Sequence, residues 1–154
     1  GYCIGGGMMV AMDADIRIAA EDAVFSIPAG PLGAGYPMIG TQRLVTLVGA
    51  AHASMLLFTG ERIDARVAER LGLINRVIPM HHLENAAKAL AGKIAQNAPL
   101  SLAAAKASIA AYTGVPGYTT EGAQAAIDRC WVSSDFVEGR AAFAEKRQPN
   151  FTGR

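Results

Sequence analysis

The chain has 154 residues, 51% of them hydrophobic and 18% charged, with a formal net charge of +1. That length and apolar content give one domain's worth of sequence with a real buried core. The near-neutral charge argues against a nucleic-acid binder or a polybasic membrane-surface protein. Cys3 and Cys130 lack metal-ligand spacing and read as reduced thiols of an intracellular protein, a disulfide being the less favoured alternative. No apolar run reaches transmembrane length and no charged-then-apolar leader is present.

In chain order, the first feature is the triplet Gly5–Gly6–Gly7, which brings backbone N–H groups close to a ligand with no side chains in the way. Met8 to Met12 read as the first turns of a helix, so a polarised carbonyl at the triplet meets free donors and the positive end of a helix dipole. No strand precedes this turn and no initiator Met is present, which suggests a fragment or processed chain. Residues 15–19 (DIRIA) alternate as a short strand, and residues 23–28 (AVFSIP) form a second, ended by Pro28. The glycine- and proline-rich stretch 29–40 reads as loop. A helix over TQRLVTLV carries Leu44, Leu47 and Val48 on one stripe and stops at Gly49; AAHASMLLFT forms the next, closed by Gly60. Asp64 is placed to cap a short helix that ends before Gly72, and NRVIP is extended.

From residue 81 the pattern is helix after helix, so the boundary falls near residue 80. Leu83, Ala86, Ala87, Leu90 and Ile94 share one apolar face. Pro99 suits the first turn of a helix running to Gly114. Thr119 or Thr120 caps another that ends near Trp131. Asp135 and Glu138 have capping-box spacing for a last helix carrying Phe136, Arg140 and Phe143 and finished by Pro149. His52 reads as a packed or surface residue, and His81 and His82 as solvated groups at a helix start. No His/Cys/carboxylate cluster has metal spacing, so no metal is expected.

An ordered series of motifs runs through the whole chain: GGG…AMDADIR, FSIP, LG…GTQRL, LVG, LFTG, RIDA, GLINRV and EGRAAFAEKR. This series resembles the crotonase (enoyl-CoA hydratase/isomerase) superfamily, specifically its C-terminal part. The resemblance implies an α/β fold: the C-terminal part of a crotonase-like ββα spiral over residues 1–80, followed by an all-helical trimerisation region over 81–154. It implies an acyl-CoA substrate, no separate cofactor, a cytoplasmic homotrimer or hexamer, and a role such as fatty-acid β-oxidation. It also implies that a preceding N-terminal part is needed to complete the site.

Within that resemblance, the Gly6 N–H is one of two donors of an oxyanion hole, with Gly5, Gly7, Pro28 and Gly33 around the acyl pocket. The two positions that carry catalytic glutamates in family hydratases are Met9 and Ala29 here, so both carboxylates are absent. Neither residue can carry a proton. Asp13, one helical turn after Met9, reads rather as a surface or capping carboxylate, and Asp15 as part of a structural D-x-R element. Tyr36, in the glycine-rich loop, is the candidate catalytic group, equally readable as a packed wall of the pocket. Lys146 resembles the lysine that reaches CoA phosphates, with Phe143 near the adenine or pantetheine. The expected function is that of an enoyl-CoA hydratase/isomerase acting on a 2-enoyl-CoA thioester. The alternatives are a non-catalytic acyl-CoA binder, or a family enzyme of different reaction: isomerisation, ring closure or decarboxylation.

Overall fold

In a computed structural model that describes all residues Gly1–Arg154, the chain divides into two units, Gly1–Lys88 and Ala89–Arg154. The first begins with β1 (Tyr2–Ile4), which runs into α1 (Gly6–Ala11). β1 was not expected. It exists because it pairs in parallel with β3 (Val24–Ser26), in the register Tyr2 to Val24 and Ile4 to Ser26. β3 also pairs antiparallel with β4 (Ile63–Asp64), giving a three-stranded sheet in the order β1-β3-β4. A second, two-stranded parallel sheet joins β2 (Ile18–Ala20) to β5 (Arg76–Ile78).

The expected strand over 15–19 is displaced to Ile18–Ala20. Residues 15–17 serve Arg17 instead: its Nε donates to Leu73 O at 2.7 Å, its Nη1 to Ala14 O, and its backbone N–H to Asn75 Oδ1 at 2.8 Å. The second strand stops at Ser26 rather than Pro28, and the Ser26 hydroxyl donates to Gly60 O at 2.9 Å. The expected loop is shorter than 29–40, because Pro37 already starts α2 (Met38–Thr59).

α2 is two helices end to end. Gly49 has φ 77 and ψ 162, values a residue with a Cβ tolerates poorly, and the chain bends there. Gly60 ends the second half in the left-handed region. Asp64 caps α3 (Ala65–Arg70) through its carboxylate, which accepts from Val67 N–H at 2.8 Å. The core of this unit is Met8, Met12, Phe25, Ile27, Leu44, Val48, Leu56, Ile63, Leu73 and Ile74, so both sheets and α1 to α3 share one apolar interior.

A 3₁₀ turn at Met80–His82 leads into α4 (Leu83–Ala95), where Leu83, Ala86, Leu90 and Ile94 are half-buried and Ala87 is exposed. The second unit then comprises α5 (Pro99–Tyr112), α6 (Thr120–Trp131) and α7 (Ser134–Glu145). α5 and α6 pack through small buried side chains, Ala104 and Ala110 on one, Ala123 and Ala126 on the other. Pro99 takes the first turn of α5 and Thr119 caps α6, as the sequence indicates.

The start of α7 corrects the capping-box expectation. Ser133, not Asp135, is the cap, its hydroxyl accepting from Phe136 N–H at 3.1 Å. Asp135 is buried and holds the C-terminal residues instead, accepting from Thr152 N–H at 2.7 Å and Gly153 N–H at 2.8 Å. Glu138 makes a two-pronged pair with Arg147, at 2.6 and 2.9 Å. The helix therefore ends at Glu145, before Pro149, with Lys146 in the left-handed conformation.

Candidate active site

The glycine triplet sits at the junction of β1 and α1. Gly5 adopts φ 55 and ψ −113, a conformation open to glycine but not to L side chains, and its N–H donates to Ser26 O at 2.9 Å. That bond ties the turn to β3. The first bond of α1 runs from Met9 N–H to Gly5 O, 3.1 Å, so the N–H groups of Gly6, Gly7 and Met8 lie ahead of it with no intrahelical acceptor. Beyond the adjacent residues and the helix's own backbone, no heavy atom stands within 4 Å of where a Cβ would be at Gly5, Gly6 or Gly7. Free donors and open space coincide there.

Met8 points into the core and Met9 is half-buried. Met9 meets Tyr36: a Cβ on Gly40 would stand 2.8 Å from Tyr36 Cε1, 3.2 Å from Cζ and 3.4 Å from the Met9 sulfur. Ring and thioether thus press on the same point of α2. Ala29, Tyr36 and Cys3 all pack against the core cluster beside them. The Tyr36 hydroxyl is buried and has no hydrogen-bond partner. Burial pushes this phenol above its usual range, and the neighbouring Cys3 thiol adds to the shift. Burial likewise raises the Cys3 thiol. Both groups are therefore proton-bearing at neutral pH, able to donate and unable to act as bases.

The loop that carries Ala29 and Tyr36 is wound tightly. Leu32 N–H donates to Pro28 O at 3.3 Å, Gly33 N–H to Gly30 O at 3.0 Å, and Ala34 N–H to Ala29 O at 2.9 Å. Gly33 takes φ 66 to make the turn, and Gly30 lies so close to α2 that a Cβ would stand 3.2 Å from Leu57 O. Asp13, the other carboxylate considered, forms an ion pair with Arg43 and is more than half exposed.

In the helical unit, Phe143 is 87% exposed and lines an apolar cavity of about 820 Å³ with Trp131, Phe136, Arg140 and Phe151. Lys146 is exposed just past the end of α7. No three His, Cys, Asp or Glu side chains converge as a metal site would need. Cys3 and Cys130 are both free thiols, and no helix is long and apolar enough to cross a membrane.

The sequence model of the enoyl-CoA hydratase/isomerase family matches residues 1–154. The chain belongs to the enoyl-CoA hydratase/isomerase family. It is 37% identical over 159 residues to the carnitinyl-CoA dehydratase of Citrobacter koseri, covering 100% of this chain and 61% of that protein. It is also 37% identical to the crotonyl-CoA hydratase of Syntrophomonas wolfei, covering 100% of this chain and 60% of that protein. The crystal structure of the enoyl-CoA hydratase from Bacillus anthracis superposes with a TM-score of 0.92 at 37% identity, over 100% of this chain and 60% of that one. The α/β crotonase-like fold is thus the fold of this family member, which spans about three-fifths of the length of these relatives.

Two residues of the arrangement carry no signal in a local reading of the sequence. Gly40 belongs to a stretch read as loop, yet it is the glycine on which Tyr36 rests. Cys3 reads as a reduced, buried thiol; in the fold it pairs opposite Phe25 and packs against the same core cluster as Tyr36.

Proposed function

We propose that the protein is an acyl-CoA enzyme of the hydratase/isomerase type, which grips the thioester carbonyl of its substrate at the Gly6 N–H and stabilises the enolate form. The observation that carries this reading is the pair of unclaimed N–H groups at Gly6 and Gly7 beneath open space, held by the bond from Gly5 to Ser26. Preorganised donors aimed at a developing oxyanion are the largest single term in many enzymes. Gly5, Gly7, Pro28, Gly33, Met9 and Ala29 form the acyl pocket in this reading, Tyr36 is its proton-bearing group, and Phe143 and Lys146 meet the CoA moiety. The helical region builds a homotrimer or hexamer, supported by the exposed apolar residues Tyr112, Val132, Val137 and Phe143. Two free thiols fit a reducing, cytoplasmic compartment.

The test uses the full-length protein that carries these residues, with butyryl-CoA binding and crotonyl-CoA turnover followed together. Butyryl-CoA binds, and Gly6→Pro lowers any thioester turnover by about 10²–10³-fold, since proline deletes the donor at a helix position that tolerates it. A protein that binds no CoA thioester overturns the reading. Binding without turnover of any thioester favours an acyl-CoA binder, in which Met9 and Ala29 simply extend the apolar groove.

A further inference from the structure

Lys146, the residue after α7, has φ 56 and ψ 37, and every other residue of positive φ in the chain is a glycine. A side chain disfavours that left-handed backbone, and glycine is the residue that usually stands there after a helix. The turn itself has no need of a lysine. Its hydrogen bonds run from backbone to backbone: Lys146 N–H donates to Phe143 O at 3.3 Å, and Arg147 N–H to Ala142 O at 3.0 Å. A residue kept in a disfavoured conformation points to a use for its side chain, provided that the surroundings hold it there.

The surroundings do hold it. Arg147, next in the chain, is fastened back onto α7. Its guanidinium makes the two-pronged pair with Glu138, at 2.6 and 2.9 Å, and reaches Glu145 at 2.6 Å. Glu138 Oε1 also accepts from Asn150 N–H at 2.8 Å, which ties the following residues to the same carboxylate. The Glu138 side chain is only 25% exposed. Two-pronged geometry at a shielded carboxylate lifts an ion pair above the ordinary surface kind. Lys146 thus lies between two fixed points, the last turn of α7 before it and Arg147 after it.

We propose that Glu138 and Arg147 are positioning residues, whose pair locks the left-handed turn at Lys146 and so orients the Lys146 ammonium towards the phosphates of a CoA thioester. This rests on the reading above in which Phe143 and Lys146 meet the CoA moiety. A lysine stem is long and flexible. Fixing the backbone beneath it sets the direction in which the stem leaves the chain, and leaves less to be ordered when the ligand arrives. Arg147 also takes both nearby carboxylates, Glu138 and Glu145, as its own partners. One turn before Lys146, Phe143 is exposed on the same stretch of α7.

The test titrates the full-length protein with S-butyryl-CoA and with S-butyryl-pantetheine, which keeps the thioester and lacks the phosphates. Melting temperatures are recorded alongside. Lys146→Gly is expected to weaken butyryl-CoA binding about 10-fold, the scale of one charge-assisted contact. It leaves butyryl-pantetheine binding unchanged and holds or raises the melting temperature, since glycine relaxes the turn. Glu138→Gln weakens butyryl-CoA binding and spares butyryl-pantetheine in the same way. Removing a negative charge would by itself favour an anion, so this loss reports orientation rather than charge. The double variant binds no worse than Lys146→Gly alone, as expected of residues that act as a unit.

Unchanged or tighter butyryl-CoA binding by Glu138→Gln, beside a loss in Lys146→Gly, overturns the positioning role and leaves the Lys146 contact standing. Equal weakening of both thioesters by Glu138→Gln, or additive losses in the double variant, also overturns it, since the pair then only holds the fold. Unchanged affinity in Lys146→Gly removes the CoA role of Lys146 and the inference with it. A full-length protein that binds no butyryl-CoA overturns the proposed function as well.

Discussion

Tyr36 lies on Gly40 so closely that a single added methyl at Gly40 would stand 2.8 Å from the ring. This contact joins the glycine-rich loop to the first turn of α2, and with Met9 it fixes where the phenol sits. Gly40→Ala is therefore expected to push the ring aside, costing about 1–3 kcal/mol of stability as over-packing does. Turnover falls with it while secondary structure is retained. Circular dichroism, a urea melt and thioester turnover on the same variant check this.

Tyr36→Phe is expected to behave in the opposite sense on stability. The phenol oxygen is buried without a partner, so removing it relieves a desolvation cost and leaves the packing of the ring intact. The melting temperature stays level or rises while activity drops. A fall in both would instead mark Tyr36 as a packing residue alone.

Much of this architecture is legible locally, and the reasons are specific. Asp64 and Thr119 precede their helices with short polar side chains that reach back to the third residue, and both caps form. Gly49 and Gly60 interrupt apolar stripes and take positive φ as expected. Elements defined by distant partners are not legible in this way. β1 is three residues long and β4 two, and neither has enough pattern to show before β3 is placed between them. The same holds at α7: the spacing of Asp135 and Glu138 fits a local capping box, but both carboxylates serve residues 147–153 instead. At the candidate site the glycine triplet is visible as sequence, whereas the cluster of Cys3, Met9, Tyr36 and Gly40 needs the fold to assemble it.

Asp135 acts as a latch for the C-terminal residues. Its carboxylate accepts two backbone N–H groups, and its own N–H donates to Arg154 O at 3.2 Å. Asp135→Ala is expected to cost about 1–3 kcal/mol, because donors satisfied by a buried carboxylate lose their acceptor. Hydrogen exchange at Thr152 and Gly153 accelerates, while exchange within α5 changes far less. Uniform acceleration through the helical unit would show that the latch holds the whole unit rather than its tail.

Acid sensitivity should centre on Glu138. The hydrogen bonds from Arg147 hold its carboxyl down to about 2, well under the ordinary 4.5, with the Asn150 N–H contributing next. A carboxyl depressed in the folded state adds stability that is present above the unfolded pKa and is lost as pH falls from about 4.5 towards 2. Glu138→Gln is expected to flatten the melting temperature across that window and to leave it little changed in slope above pH 6. Thermal melts from pH 2 to 7 on both proteins check the sign.

Restoring the missing carboxylates tests how far the pocket itself still matches its hydratase relatives. Met9 and Ala29 occupy the positions that the family resemblance assigns to the two glutamates, and the backbone of each is hydrogen-bonded: Met9 N–H donates to Gly5 O, and Ala29 O accepts from Ala34 N–H. Positioned proton transfer is worth about 10²–10⁴-fold. The full-length Met9→Glu, Ala29→Glu double variant is accordingly expected to gain about 10²-fold in crotonyl-CoA hydration, followed by loss of the enoyl-thioester absorbance. No gain in hydration shows instead that the pocket differs from that of its hydratase relatives in shape as well as in chemistry.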